Sequence, residues 1–496
     1  MMIRILAQRR WIRGALVAAL AAAVTGCTVG PDYVKPAVDA PTAWRIDYPQ
    51  AADVANTRWW VQFDDPVLSD LIASALKENR DLVIAAARVD AYIGALVSTR
   101  SQFYPQANYG FDASRNRSST VGASPLPAGA DPYYNLYNGA LGASWQLDLF
   151  GRVRRLTEAA QAQVYASEQG RRGVILSVVT NVATTYIGLR TLDRQLEISR
   201  KTAENYANTL RIFELRHKGG VVSQQELSQV KSQYQQALAA IPSLEQQIAA
   251  QEGLLAVLQG RNPYPIPRGK TIEELAIPLI PAGLPSSLLE RRPDILQAEQ
   301  ILVAANANIG AAKALYYPQF SLTGTLGSVS AAFGNFLTGP AAAWGVAAGV
   351  TGPLFTAGSI AGQVQSAEAR TNEALATYQQ TIFNAFRETN DALVGAVKKK
   401  EETAAQRQRV AALREYARVA RLRFNNGYGN YVDTLYAENE LFAAELAEVR
   451  TYADQYTQIV NVYKAIGGGW IDIADAGTAA GQAQPLPDRV KRQPLF

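Results

Sequence analysis

The chain switches between two hydrophobic periods, and it does so twice. "RDLVIAAARV" from Arg80 and "PDILQAEQIL" from Pro293 both carry apolar residues at helical spacing. Asp81 and Asp294 each stand 24 residues before the proline of a Tyr-Pro-Gln element, Tyr104-Pro105-Gln106 and Tyr317-Pro318-Gln319, and the two prolines are 213 residues apart. Proline disfavours helix in the residue before it, so both helical runs are predicted to stop there. Beyond each proline the period falls to two. Ala107, Tyr109, Phe111 and Ala113 alternate with Asn108, Gly110, Asp112 and Ser114, and Tyr137, Leu141, Ala143, Trp145 and Leu147 alternate with Asn138, Gly142, Ser144, Gln146 and Asp148. In the second half Phe320, Leu322 and Leu326, then Trp344, Val346, Ala348 and Val350, do the same. Each half therefore predicts one β-hairpin with an apolar and a polar face, at about 105–149 and 318–354.

A long helix follows each hairpin. Phe150 to Gly220 is 70 residues and Phe355 to Gly427 is 72, with no proline from Arg152 to Ile241 or from Leu354 to Gln484. At ~1.5 Å per residue each path reaches roughly 100 Å. Ile175, Val182, Leu189, Leu196, Ala203 and Leu210 recur every seven residues, the seam of a coiled coil. Both helices end in related turns. Arg216, Gly220, Ser223 and Glu226 have the same spacing as Arg423, Gly427, Asn430 and Asp433, and a return helix follows each. Glycine supplies the left-handed stop, and Ser or Asn caps the next helix. The organisation is a first repeat at 66–260 with its turn at 216–226, a linker at 261–285, and a second repeat at 286–470 with its turn at 423–436. Residues 27–65 read as an extended N-terminal segment and 471–496, rich in Ala, Gly, Gln and Pro towards the end, as a flexible tail.

Composition changes this picture mainly at the N-terminus. The 496 residues hold 48 Lys and Arg against 43 Asp and Glu, but four arginines fall within the first 26, which contain no acid. The remainder is 44 against 43, so charge points to no nucleic-acid partner. Those arginines, the short apolar run Ala15 to Val24 and the small residues before Cys27 make residues 1–26 a signal peptide. Val24, Thr25, Gly26 and Cys27 resemble a bacterial lipobox, which implies acylation of Cys27, the one cysteine of the chain. Thr28 follows where an aspartate would favour inner-membrane retention, so the outer membrane is expected. No Walker loop, metal constellation or Cys/His pair is legible, and the one histidine, His217, sits beside a turn glycine. An enzyme is not expected, nor any cofactor other than the covalent lipid.

Four amphipathic strands cannot close a membrane barrel, and open edges are not tolerated in lipid, so several chains must share one. Here "LLERRPDILQAEQILVAANANIGAAKALYYPQFSLTG" from Leu288, "WQLDLFGR" from Trp145, "GPDYVKP" from Gly30 and "NVYKAIGGGW" from Asn461 resemble the outer-membrane factor family, the TolC and OprM group, in its lipid-anchored, NodT-type branch. The resemblance implies an α+β membrane protein: a homotrimeric 12-stranded outer-membrane β-barrel, four strands per chain, continuous with a long periplasmic α-helical coiled-coil barrel and built by internal duplication. It implies the exit duct of a tripartite multidrug or small-molecule efflux pump, opened when a periplasmic adaptor docks, with an inner-membrane pump of the RND type. A type I protein-secretion channel and a non-conducting, lipid-tethered coiled-coil scaffold are the alternatives. Carried onto this chain, the gate falls on Val432, Asp433, Tyr436 and Glu226, with Tyr436 where relatives carry an acid. The adaptor-contact turns fall on Gly220, Ser223, Gly427 and Asn430. Tyr104, Tyr316, Tyr317, Trp145 and Trp344 are the expected membrane-interface aromatics.

Overall fold

A computed structural model describes residues 28–37, 57–121, 127, 129–280 and 288–481. The signal segment, Cys27 and residues 482–496 lie outside the described residues. Helices α1 (Pro66–Glu78) and α2 (Arg80–Ser101) meet at Asn79, whose side chain caps the second by accepting from the Asp81 and Leu82 amides. Strands β1 (Gln106–Arg117) and β2 (Tyr133–Leu147) lead into α3 (Arg152–Lys218) and its return helix α4 (Gln224–Leu258). After a helical turn at Leu288–Arg291 the second half repeats the series. It comprises α5 (Pro293–Lys313), β3 (Gln319–Ser330), β4 (Ala342–Thr351), α6 (Ser359–Asn425) and α7 (Tyr431–Ile466), and α8 (Trp470–Asp475) closes the chain. The duplication is close in length, since α3 and α6 each have 67 residues and α4 and α7 have 35 and 36.

The two hairpins join into one antiparallel sheet in the order β1-β2-β3-β4. The register aligns Tyr109, Leu141, Leu326 and Trp344 in one row and Leu147, Phe320 and Val350 in another, so the apolar positions of all four strands share one face. Asn108, Gly142, Thr325 and Gly345 share the other. The apolar face is bare in the single chain: Tyr109 is 88% exposed, Leu141 62% and Val346 79%. Below the sheet the helices lie side by side. Val89, Ile93 and Leu96 of α2 meet Val164 of α3, while Ala159 and Ala162 of α3 meet Ala304 and Ala307 of α5. Ile295 and Leu302 of α5 in turn pack with Tyr378 and Ile382 of α6. Alanines at the α3–α5 contact let the backbones approach closely.

The main core sits midway along the long helices and corrects two expectations, for residues 59–63 and 471–481. Residues 59–63 form a helical turn rather than extended chain, because Trp59, Trp60 and Phe63 are large apolar groups with a place to go: Trp59 stacks on Tyr463 at 5.0 Å and meets Trp470 edge-on at 6.0 Å. Residues 471–481 are not a loose tail. Gly467 and Gly468, at φ +65 and +117, turn the chain back so that Trp470, Ile471 and Ala474 are buried, and Asp475 takes a two-pronged contact from Arg171 at 2.6 Å. Residues 261–280 of the linker are a packed belt. Ile266, Ile272 and Leu275 are buried, Tyr456 Oη donates to the Leu275 carbonyl at 2.6 Å, and Arg190 Nε donates to the Lys270 carbonyl at 2.8 Å.

Asp65 ties this belt to two helices. Its buried carboxylate accepts from the Val67 and Leu68 amides that begin α1, from Tyr186 Oη of α3 at 2.8 Å and from the Lys270 amide at 3.1 Å. Nearer the sheet, residues 28–37 run along α5 and the start of α3. Arg155 pairs with Asp32 at 2.7 Å, Lys35 with Glu299 at 2.9 Å, and Gly30 lies so near Gly310 that a Cβ there would stand 2.3 Å from its Cα. Removing the Asp65 carboxylate strands several buried donors at once. Asp65→Ala is therefore expected to cost about 3 kcal/mol, the sum of a lost cap and unsatisfied buried groups, read as a lowered midpoint when helical circular dichroism is followed against temperature.

Candidate functional site at the helical tip and the sheet

The two turns at the far end of the helices are built alike. Gly220 and Gly427 adopt φ +72 and +75, and the next amides, of Val221 and Tyr428, each donate back to the carbonyls of Arg216 and Arg423 at 2.9 Å. The caps differ. Ser223 and Glu226 form a reciprocal capping box: the Glu226 amide donates to Ser223 Oγ, and the Glu226 carboxylate accepts from the Ser223 amide at 2.7 Å and its hydroxyl at 2.9 Å. These bonds, the amide's first, hold the Glu226 carboxyl below its usual value. In the second turn Asn430 Oδ1 accepts from the Val432 amide at 3.1 Å, and the Asp433 carboxylate makes no hydrogen bond or ion pair among the described residues.

Val432, Asp433 and Tyr436 are exposed and lie on one side of α7, with spacings of one and four residues, while Tyr431, Thr434 and Ala437 are buried on the other. Glu226 is half-buried on α4. Three of the four residues expected at the gate thus lie together, and the fourth, Glu226, is committed to a cap.

Sequence reasoning missed what holds the tip together. Phe213 of α3, Phe424 of α6 and Tyr431 of α7 form an aromatic cluster, with Phe213 and Tyr431 centroids 4.2 Å apart and Phe424 and Tyr431 5.1 Å apart, over Val230 and Leu227 of α4. Arg216 lies over the Phe424 ring at 5.6 Å. The signal was present, because Ser199, Tyr206 and Phe213 repeat at seven residues as a second row beside the seam and all three are buried. Of the seam itself, Ile175, Val182, Leu189 and Ala203 are buried, and Leu196 and Leu210 half-buried.

Behind this cluster the hydroxyls of Tyr206, Tyr431 and Thr434 are buried and without a hydrogen-bond partner among the described residues. Glu438, one turn further along α7, pairs with half-exposed Arg421 of α6. Burial outweighs that pair and raises the Glu438 carboxyl above its usual 4.5. A carboxyl raised by folding takes up protons relative to the unfolded chain. The contribution of Glu438 to the tip should accordingly be greatest below pH ~4.5 and be lost as pH rises through the raised value, opposite in sign to that of Glu226, whose lowered carboxyl loses its contribution as pH falls. Glu438→Gln should flatten that dependence, checked by hydrogen exchange of the tip helices at acidic and neutral pH.

At the other end, the aromatic residues near the two Tyr-Pro-Gln elements gather where helices become strands. Tyr104, Tyr316 and Tyr317 are 42%, 51% and 41% exposed, Tyr317 stacks on Phe150 at 4.7 Å, and Trp145 Nε1 donates to the Phe103 carbonyl at 2.9 Å. Trp344 stands apart from this group. Trp145 shares a register row with Leu322 and Ala348, whereas Trp344 lies four residues further up β4, beside Leu326 and amid the apolar face.

The sequence profile of the family described as "Outer membrane efflux protein" matches residues 71–261 and 284–468. The toluene efflux pump outer membrane protein TtgC of Pseudomonas putida is 34% identical over 456 residues, spanning 90% of this chain and 93% of that protein. The cation efflux system protein CusC of Escherichia coli is 31% identical over 458 residues, spanning 91% and 97%. The solved outer-membrane channel OprN superposes with a TM-score of 0.80 at 29% identity, covering 90% of this chain and all of that one.

Proposed function

Because the chain belongs to the outer membrane efflux protein family, we propose that it is gated at its helical tip by Val432 and Asp433. The protein is an outer-membrane channel of an efflux pump, extending into the periplasm. The observation that carries the gating reading is the exposure of Val432, Asp433 and Tyr436 along one side of α7 at the extreme end of a long helical path. Three copies of the chain close the barrel and bring three such sides around one axis. There Val432 narrows the path and a ring of Asp433 carboxylates attracts cations and repels anions. Tyr436, one turn on, stands where relatives carry an acid and lines the opening with an aromatic edge.

Gly220, Ser223, Gly427 and Asn430 shape the turns against which a periplasmic adaptor docks, and the adaptor links the duct to an inner-membrane pump of the RND type. Docking loosens the tip, since the chain has no energy-coupling motif of its own. Cys27 carries the lipid that supplements the barrel as a membrane anchor. Cargo is chosen by the pump, which fits relatives of one architecture that are named for toluene and for cations.

The test is single-channel conductance of the purified protein in planar bilayers. Wild type should give a small, cation-selective conductance. Val432→Ala should raise it, and Asp433→Ala should lower the selectivity several-fold at low salt, with a smaller effect at high salt where the charge is screened. Variants indistinguishable from wild type in both properties would remove the gate from α7.

A further inference from the structure

The outward face of β1 does not stay apolar. Ala107, Tyr109, Phe111 and Ala113 share a face, and the alternation continues it to Arg115 and Arg117, both exposed. Arg117 pairs in register with Tyr133, and both guanidinium groups gather on that one ring, at 5.7 Å for Arg117 and 6.0 Å for Arg115. Neither arginine forms an ion pair among the described residues, and residues 122–126 and 128 of the adjoining loop contain no acid. Asp131, near in sequence, accepts from the Tyr133 amide. Two unpaired cations therefore converge on the face that the barrel turns to lipid.

Their height is fixed by the strand. β1 begins at Gln106 beside the helices, so Arg115 lies nine residues further along. At ~3.3 Å per residue and a tilt of about 40° that is roughly 23 Å above the periplasmic end, about the height of the apolar band of such barrels. Below that height arginine would face hydrocarbon. At it, arginine faces the headgroups of the outer leaflet.

An apolar shelf adjoins the pair. The β3–β4 connection folds down over the outward face instead of continuing upwards. Phe336 meets Phe111 edge-on at 5.4 Å, Phe333 meets Tyr137 at 5.5 Å, and Gly139 leaves the room, since a Cβ there would stand 2.6 Å from the Phe336 ring. Phe333 and Leu337 remain 67% and 90% exposed. We propose that Arg115 and Arg117 bind the phosphorylated headgroup of an outer-leaflet lipid, whose acyl chains lie along Phe111, Phe336, Phe333 and Leu337. Two guanidinium forks on one ring suit a phosphate monoester, which offers several acceptor oxygens and nearly two charges. The bound lipid clamps the outer rim of each protomer into the leaflet.

The experiment is native mass spectrometry of the full-length protein in mild detergent, titrated with diphosphoryl lipid A and, separately, with its dephosphorylated form. Wild type should retain the diphosphoryl lipid. Each arginine should contribute about fivefold, so Arg115→Gln/Arg117→Gln should bind roughly 25-fold more weakly, with Arg115→Lys/Arg117→Lys between the two. Excess inorganic phosphate should leave the lipid in place. Equal binding of the diphosphoryl lipid by wild type and the glutamine double variant would overturn the proposal. So would equal binding of the two lipids by wild type, or complete displacement by inorganic phosphate, which would mark a free-anion site. Should the glutamine variant not assemble, the comparison of the two lipids on wild type decides alone.

Discussion

The structure depends on the hydrogen bonds its sheet does not make. β1 and β4 each have a partner on one side only, so the twelve residues of β1 alone leave about half their backbone groups pointing away from the sheet. In water those groups are solvated. In hydrocarbon each unsatisfied amide or carbonyl costs several kcal/mol, and a dozen would cost tens, against a typical whole-fold stability of ~5–15 kcal/mol. No adjustment within one chain removes that cost, because the sheet has four strands and a closed membrane barrel needs more. The edge of one copy must meet the edge of the next. The bare apolar face gives the same answer from the other direction: Tyr109, Trp344 and Val346 are exposed on one side of the sheet, and a continuous apolar face of that kind suits lipid rather than water.

Assembly then constrains the helices. A sheet that closes only as a ring imposes that ring on whatever hangs below it, and the α2–α3–α5–α6 layer continues the strands. Two of the joints are braced: Tyr317 stacks on Phe150, and Asp148 accepts from the Val153 and Arg154 amides at the start of α3. The core around Trp59, Tyr463 and Trp470 acts as a girdle at mid-length, drawing the belt 261–280, the end of α7 and the middle of α3 together.

How much of this was legible in the sequence follows from the range of each interaction. The hairpins, the long helices and the duplicated turns were legible because their signals are local: a change of period, a proline that ends a helix, a glycine that reverses it. The girdle was not. Trp59 meets Tyr463 across some four hundred residues, and nothing periodic near Trp59 announces the partner. Gly467 to Gly469 read as the end of the fold because glycine runs commonly end helices, yet here they turn the chain so that Trp470 can fill the core. Asp65 went unread as well, and the fold reveals that Tyr186 and Lys270 share its carboxylate. At the tip the first seam row was read and the second, through Tyr206 and Phe213, was not, since tyrosine and phenylalanine at one spacing attract less notice than leucine.

The turns carry the last step. Their landmarks match residue for residue, yet the copies do not do the same thing. Glu226 has the length to reach back to the Ser223 amide, and with a serine hydroxyl as cap the two close a reciprocal box. Asp433 occupies the equivalent place but is one methylene shorter, and its cap, Asn430, is already bonded to the Val432 amide. One carboxylate is consumed in holding its helix start; the other is left facing out. Duplication supplied two like frames, and the differences at two landmark positions, Ser223 against Asn430 and Glu226 against Asp433, divide them into a structural turn and a turn with a charge to spare. The aromatic cluster of Phe213, Phe424 and Tyr431 binds the two together, so whatever moves the second turn must also work against the first.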